Sequence, residues 1–249
     1  MAISYEPELL LARDRGLKLV SVGALVQRPL TSIIALPGAH VRTVADLAGK
    51  VVGTAGIPYQ SAYLKTILAR AKVPASSVKE TNVGASLLPA MLSGKVDATL
   101  GGFWNVEGAE LRQRGAKPTV IPVDRLGVPS YDELVFVANK DHLTKERDDL
   151  RLFISALARG AAQARKDPNE ATKALLAANK GLKAKRARAS VRLTIPTLFP
   201  SKPAQPWGYM DPIAWRNYGG WMVDQGILKQ LPDIPAAITN DLLPGQGLK

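Results

Sequence analysis

Short apolar, β-branched runs alternate with helical stripes through the first half of this chain, and that alternation leaves few architectures open. The runs lie at 18–26, 32–36, 51–54, 96–101, 118–123 and 133–138. Between them Leu64, Ile67, Leu68 and Ala71 recur at i, i+3, i+4 and i+7, one face of a helix. Residues 87–91 predict a second short helix closed by Ser93-Gly94. Such alternation predicts an α/β fold of βαβ units around a mainly parallel sheet. Beyond about residue 145 the pattern is helical alone, with Leu150, Phe153, Ile154, Leu157 and Ala161 on one stripe. Pro168 opens a helix over 169–178, where proline is tolerated, and further helices are predicted over 183–194 and 212–225. The proline-rich stretch 196–206 between these last two reads as an extended connector.

Composition breaks at Pro37-Gly38 and Val128-Pro129 bracket a compact α/β module. The expectation is one lobe from 39–127 and another from 1–38 with 128–249. Two crossings between lobes would give a hinge and a cleft, with Gly127 and Pro129 near the return.

The totals remove several function classes. The chain has no cysteine, so disulfides, thiolate metal sites and cysteine nucleophiles are out. Its two histidines, His40 and His142, lie in separate polar loops and make neither a metal site nor a triad. No catalytic residue, metal ligand or cofactor is therefore expected. A formal charge of +12 suggests nucleic acid or an anionic environment. The basic residues are dispersed except over 180–192, which holds six of them and no acid. That run has helical spacing and no interleaved aromatics, so a solvated face is favoured over a nucleic-acid platform. No run approaches the roughly 20 apolar residues of a membrane span. No basic-then-apolar signal peptide opens this chain.

Three stretches set an aromatic ring beside a carboxylate next to an apolar run: Tyr5-Glu6, Trp104-Asn105-Val106-Glu107 and Tyr131-Asp132-Glu133. Ligand crevices in α/β proteins form at strand ends. Aromatic faces with a few placed polar groups suit a flat, nitrogen-bearing molecule, whose amino edge a carboxylate can accept. Each stretch also has a plain structural reading. Trp104 and Glu107, three apart, are either a stacking ring with an accepting acid, or a buried tryptophan with a first-turn glutamate. Tyr131 and Glu133 are either ligand contacts or a turn residue and a strand-edge charge, with Asp132 facing away by strand alternation. Tyr5 and Glu6 line a pocket or fray with the terminus. The turn from Gly56 through Tyr59 to Ser61 exposes helix-start N–H groups to a ligand, or is ordinary N-capping. Gln27 and Arg28 either bond a ligand carbonyl or make surface bonds. Trp215, Tyr218 and Met222 read as a core stripe.

The wording of several segments carries a resemblance. Ile3-Ser-Tyr-Glu-Pro, Gly23-Ala-Leu-Val-Gln-Arg-Pro, Gly56-Ile-Pro-Tyr-Gln-Ser, Phe103-Trp-Asn-Val-Glu-Gly, Gly127-Val-Pro-Ser-Tyr-Asp-Glu and Thr239-Asn-Asp-Leu-Leu-Pro occur in that order. Together they resemble substrate-binding proteins of ABC importers for thiamine pyrimidine precursors, relatives of the fungal thiamine-pyrimidine synthases. The resemblance implies a type II periplasmic-binding-protein fold whose two lobes close on a small pyrimidine ligand. It implies an ABC permease as partner and a periplasmic or otherwise extracytoplasmic place. The ligand set it implies is Trp104, Asn105, Glu107, Tyr131, Glu133, Tyr59, Ser61, Tyr5, Glu6 and Gln27. Riboflavin-like heteroaromatics and alkanesulfonates are the alternative solutes, and a pyrimidine-synthase-like enzyme is a third reading. The synthase branch carries a cysteine cluster that this chain lacks. Family members also carry a further strand–helix–strand ahead of residue 1, so the first lobe is expected to be incomplete at its N-terminus.

Overall fold

A computed structural model describes residues 1–245. Its strands are β1 (Ala2–Ser4), β2 (Leu19–Val26), β3 (Thr31–Ala35), β4 (Val51–Thr54), β5 (Lys79–Asn82), β6 (Ala98–Phe103), β7 (Thr119–Pro122) and β8 (Leu134–Asn139). Its helices are α1 (Glu6–Asp14), α2 (Pro58–Arg70), α3 (Leu87–Leu92), α4 (Glu107–Gln113) and α5 (Lys140–Leu143), then α6 (Arg147–Lys166), α7 (Pro168–Ala178), α8 (Ala184–Thr194), α9 (Pro212–Asp224) and α10 (Ile234–Ala237). The chain divides into two units: Met1–Arg28 with everything from Ser130 on, and Pro29–Pro129. The first crossing therefore falls between Arg28 and Pro29, ahead of the expected residue 38. The reason is β3, which the expected bounds put with the first lobe: it is hydrogen-bonded between β6 and β7 of the second unit.

In the first unit three antiparallel strands run in the order β1-β8-β2. Ile3 stands opposite Phe136, and Val20 opposite Ala138. Val22, Phe136, Leu150, Ile154, Leu242 and Leu243 form the core beneath this sheet. Helix α6 keeps the expected stripe only in part. Leu150 and Ile154 are buried, whereas Phe153 points outward. In α9 the predicted stripe is a core stripe, with Trp215, Tyr218 and Met222 all buried. Asp211 starts that helix by accepting from the N–H groups of Ile213 and Ala214, which satisfies two of its free donors.

The second unit has a five-stranded sheet in the order β5-β4-β6-β3-β7. Only β5, β4 and β6 are parallel, joined through α2 and α3; β3 runs against both β6 and β7. The sheet is thus mixed, which corrects the expected mainly parallel one. β3 is reached directly from the other unit, not through a crossover helix, so nothing forces it parallel to its neighbours. Strand β5 gave no apolar signal: Lys79, Glu80, Thr81 and Asn82 form a polar edge whose charges discourage pairing with another chain. Ile34, Met91, Val96 and Leu111 anchor this unit's core. Among the described residues no helix is long and apolar enough to cross a membrane.

Candidate functional site

A pocket of about 170 Å³ opens in the first unit, with Glu6, Gln27, Tyr131, Asp132, Tyr209 and Trp215 among its lining residues. Glu6 opens α1 behind Tyr5, the residue that caps the helix, where the dipole favours an acid. It is completely buried. Its Oε2 accepts the Asp132 backbone N–H at 2.7 Å, while Oε1 is buried without a hydrogen-bond partner. Burial, reinforced by the nearby Asp132 charge, holds the Glu6 carboxyl well above the usual range, against the lowering effect of that backbone bond. Asp132 is buried as well, and its Oδ2 accepts the indole N–H of Trp215 at 2.8 Å. Burial pushes its pKa up to about 7; the indole bond works in the opposite direction and the charge of Asp211 adds to the rise.

The backbone N–H of Gln27 donates to the Thr197 carbonyl at 3.0 Å, while its side-chain Nε2 is buried with no partner. Tyr131 donates its hydroxyl to Glu133 Oε2 at 3.1 Å, and its ring lies 4.8 Å from that of Tyr218 at 32°. Glu133 is buried and does not line the pocket. Tyr5 has its phenol pKa raised by burial first and then by Glu133 and Glu8.

The other expected residues belong to the second unit. Trp104 follows β6, its backbone N–H donating to Leu30 and its indole N–H to Pro29, at 3.0 and 3.1 Å. Asn105 is buried. Glu107 is the first residue of α4, and its Oε2 accepts the Phe103 backbone N–H at 2.7 Å, closing the turn between strand and helix. Tyr59 is buried with its ring 5.6 Å from that of Tyr63. Ser61 does not cap α2: Ile57 holds that position with Pro58 at the first turn. The Ser61 hydroxyl instead donates to Glu80 Oε1 at 2.7 Å, an oxygen that Thr54 also reaches. Gln60 Oε1 accepts the Ala55 N–H at 2.8 Å, so the turn before α2 uses part of its donor capacity internally.

The first unit thus brings together Glu6, Gln27 and Tyr131 from the expected set, and adds two residues that sequence reasoning passed over. Asp132 lines the pocket and does not face away, because β8 begins only at Leu134 and alternation does not reach back to 132. Trp215 belongs to the expected core stripe and is in the core, but its indole N–H needs an acceptor when buried and finds Asp132. Among the described residues no cluster of three or more His, Asp or Glu is placed to hold a metal ion.

The family described as NMT1/THI5 like matches residues 1–171. A formylaminopyrimidine-binding protein of Halalkalibacterium halodurans is 32% identical over 235 residues, 92% of this chain and 70% of that protein. A Haemophilus influenzae protein named for thiamine biosynthesis is 35% identical over 176 residues, 71% of this chain. The alignment spans only 55% of that relative's length. Among solved structures, the periplasmic aliphatic sulphonate binding protein SsuA from Escherichia coli superposes with a TM-score of 0.75 at 19% identity, over 96% of this chain and 79% of that one. That likeness gives the chain the periplasmic-binding-protein fold.

Proposed function

The chain belongs to the NMT1/THI5-like family, and from that premise we propose that it is the solute-binding component of an ABC importer, taking a thiamine-related pyrimidine outside the cytoplasmic membrane and passing it to a permease. The observation that carries this reading is the pocket of the first unit. Aromatic walls from Tyr131, Tyr209 and Trp215 meet the buried Glu6 and the half-buried Gln27, each of which keeps a buried polar atom unpartnered. Such atoms are costly unless a ligand or water meets them, and ring faces beside placed polar groups suit a heteroaromatic ring. The 32% identity to a formylaminopyrimidine-binding protein supports the same ligand class.

The work is binding, with no covalent change to the solute. A synthase role would need a coherent set of metal-binding donors, and the two histidines fall in different units, His40 in the second and His142 in the first. In the second unit we assign Trp104 a ring contact and Glu107 a polar one.

Lys202 also lines the pocket and favours a second reading, an alkanesulfonate or similar anion. Calorimetry of the purified chain with a formylaminomethyl-pyrimidine and, separately, with ethanesulfonate distinguishes them. Micromolar or tighter binding of the pyrimidine with no heat from the sulfonate is the expected result. Binding of the sulfonate alone would replace the pyrimidine reading.

A further inference from the structure

The sequence suggests that the carboxylates at this site accept hydrogen bonds from an amino group. The geometry around Glu6 points the other way. One of its oxygens is used in accepting the Asp132 N–H at 2.7 Å. The other, Oε1, belongs to a residue that lines the pocket and has no partner. An ionised carboxylate in so buried a position needs several donors or a cation, and this one receives a single backbone N–H while sitting beside a second acid. The Gln27 amide nitrogen lines the same pocket, buried and also without a partner.

We propose that Glu6 serves as a neutral carboxylic acid whose Oε1–H, with the Gln27 Nε2–H, donates to an acceptor atom of the bound solute, a carbonyl oxygen or an aza nitrogen. This rests on the binding function proposed above and narrows it: the first unit reads the acceptor side of the ligand, not its amino side. When the pair gives up one proton it comes from Asp132 and stays on Glu6, because Asp132 has the Trp215 indole N–H to stabilise its anion. The groups facing Glu6 fit that division. Asp132 opposes its ionisation; Asp211, from the start of α9, acts on Asp132; Lys202 from the connector brings a cation to the same pocket, and Tyr131 and Tyr209 add phenol groups. Burial raises the Glu6 carboxyl in the same direction. A neutral acid as hydrogen-bond donor makes affinity depend on pH in a definite sense. Binding is full where Glu6 is protonated and is lost as pH rises through its folded-state pKa.

The test is calorimetry with the formylaminomethyl-pyrimidine from pH 6 upward, on the wild type, Glu6→Gln and Glu6→Ala. Gln keeps an N–H donor in place of the acid proton. Wild-type affinity should fall at least tenfold over the alkaline limb. Glu6→Gln should bind within threefold of wild type at pH 6 and show no such fall, and Glu6→Ala should be at least tenfold weaker at every pH. An affinity that rises with pH, or a Glu6→Gln variant tenfold weaker than wild type at pH 6, overturns the proposal. If the pyrimidine does not bind the wild type at all, the function reading fails by itself, and the same series is run with ethanesulfonate, whose oxygens are also acceptors. Should neither bind, carbon-13 NMR of the Glu6 carboxyl in the empty protein decides. Titration in the ordinary carboxylate range rejects the neutral acid, and titration well above it sustains the donor.

Discussion

The indole N–H of Trp215 donates to Asp132 Oδ2 across 2.8 Å, tying α9 to the segment that leads into β8. Both residues are buried, so the bond is made away from competing water. Trp215→Phe keeps most of the packing and removes the donor, leaving the Asp132 carboxyl short of a partner. The variant should lose about 1–3 kcal/mol at pH 8, where Asp132 is ionised. The loss should shrink at pH 5, where the acid is protonated and needs the indole less. Urea denaturation at the two pH values reads the difference, and an equal loss at both would mean that packing alone is responsible.

Asp132 and Glu6 give the stability of the first unit an unusual slope. Both carboxyls have folded-state pKa values above their ordinary ones, Asp132 at about 7. The folded state therefore holds more protons than the unfolded one from about pH 4 to about pH 7. Stability from Asp132 is fully present below that window and is lost as pH rises through it, and the raised Glu6 carboxyl contributes a loss of the same sign as pH rises. Asp132→Asn removes the ionisation and keeps an acceptor for Trp215. It should be more stable than the wild type at pH 8, on the order of 1–4 kcal/mol, and gain little at pH 4. Denaturation midpoints from pH 4 to pH 9 test this; a variant weaker than wild type at pH 8 would contradict the buried-acid account.

The sequence showed some of this plainly and hid the rest for identifiable reasons. β2, β3, β4 and β8 are buried on both faces or nearly so, and their apolar runs announce them. β5 lies at a sheet edge, where four polar residues suffice, and no apolar pattern marks it. The pairing of Tyr131 with a nearby acid was visible locally, and Glu133 does take its hydroxyl. The meeting of Glu6 with Asp132 joins positions 126 apart, and no local pattern encodes it. Ser61 looked like a helix cap because serine favours that position, but Pro58 starts the helix three residues earlier and Glu80 takes the hydroxyl.

Gly208 holds the connector between Trp207 and Tyr209 at φ +85°, a conformation that side chains other than glycine's rarely adopt. A Cβ there would meet Leu243 Cδ2 at 3.0 Å, and the Gly208 carbonyl accepts the Ala24 N–H at 2.8 Å. Gly208→Ala should cost about 1–3 kcal/mol from backbone strain and crowding of the core. Because Tyr209 lines the pocket, the variant should also bind the pyrimidine more weakly. Thermal melts and calorimetry on one preparation give both numbers, and an unchanged melting temperature would show that the turn relaxes without cost.

Glu107 separates a structural role from a binding one. Its Oε2 accepts the Phe103 N–H at 2.7 Å, and this bond closes the turn from β6 into α4 whether or not a ligand is present. Glu107→Gln retains a carbonyl oxygen for that bond, so stability should change by less than about 0.5 kcal/mol. The substitution removes the negative charge, which matters only if a ligand donor also reaches the side chain. On the binding role assigned here, pyrimidine affinity should drop by about 1–3 kcal/mol with stability preserved, since a charged acceptor has been lost. Glu107→Ala breaks the turn bond too and should reduce both stability and affinity. If Glu107→Gln leaves affinity and stability alike at wild-type values while Glu107→Ala lowers only stability, the residue closes the turn and does nothing for the solute.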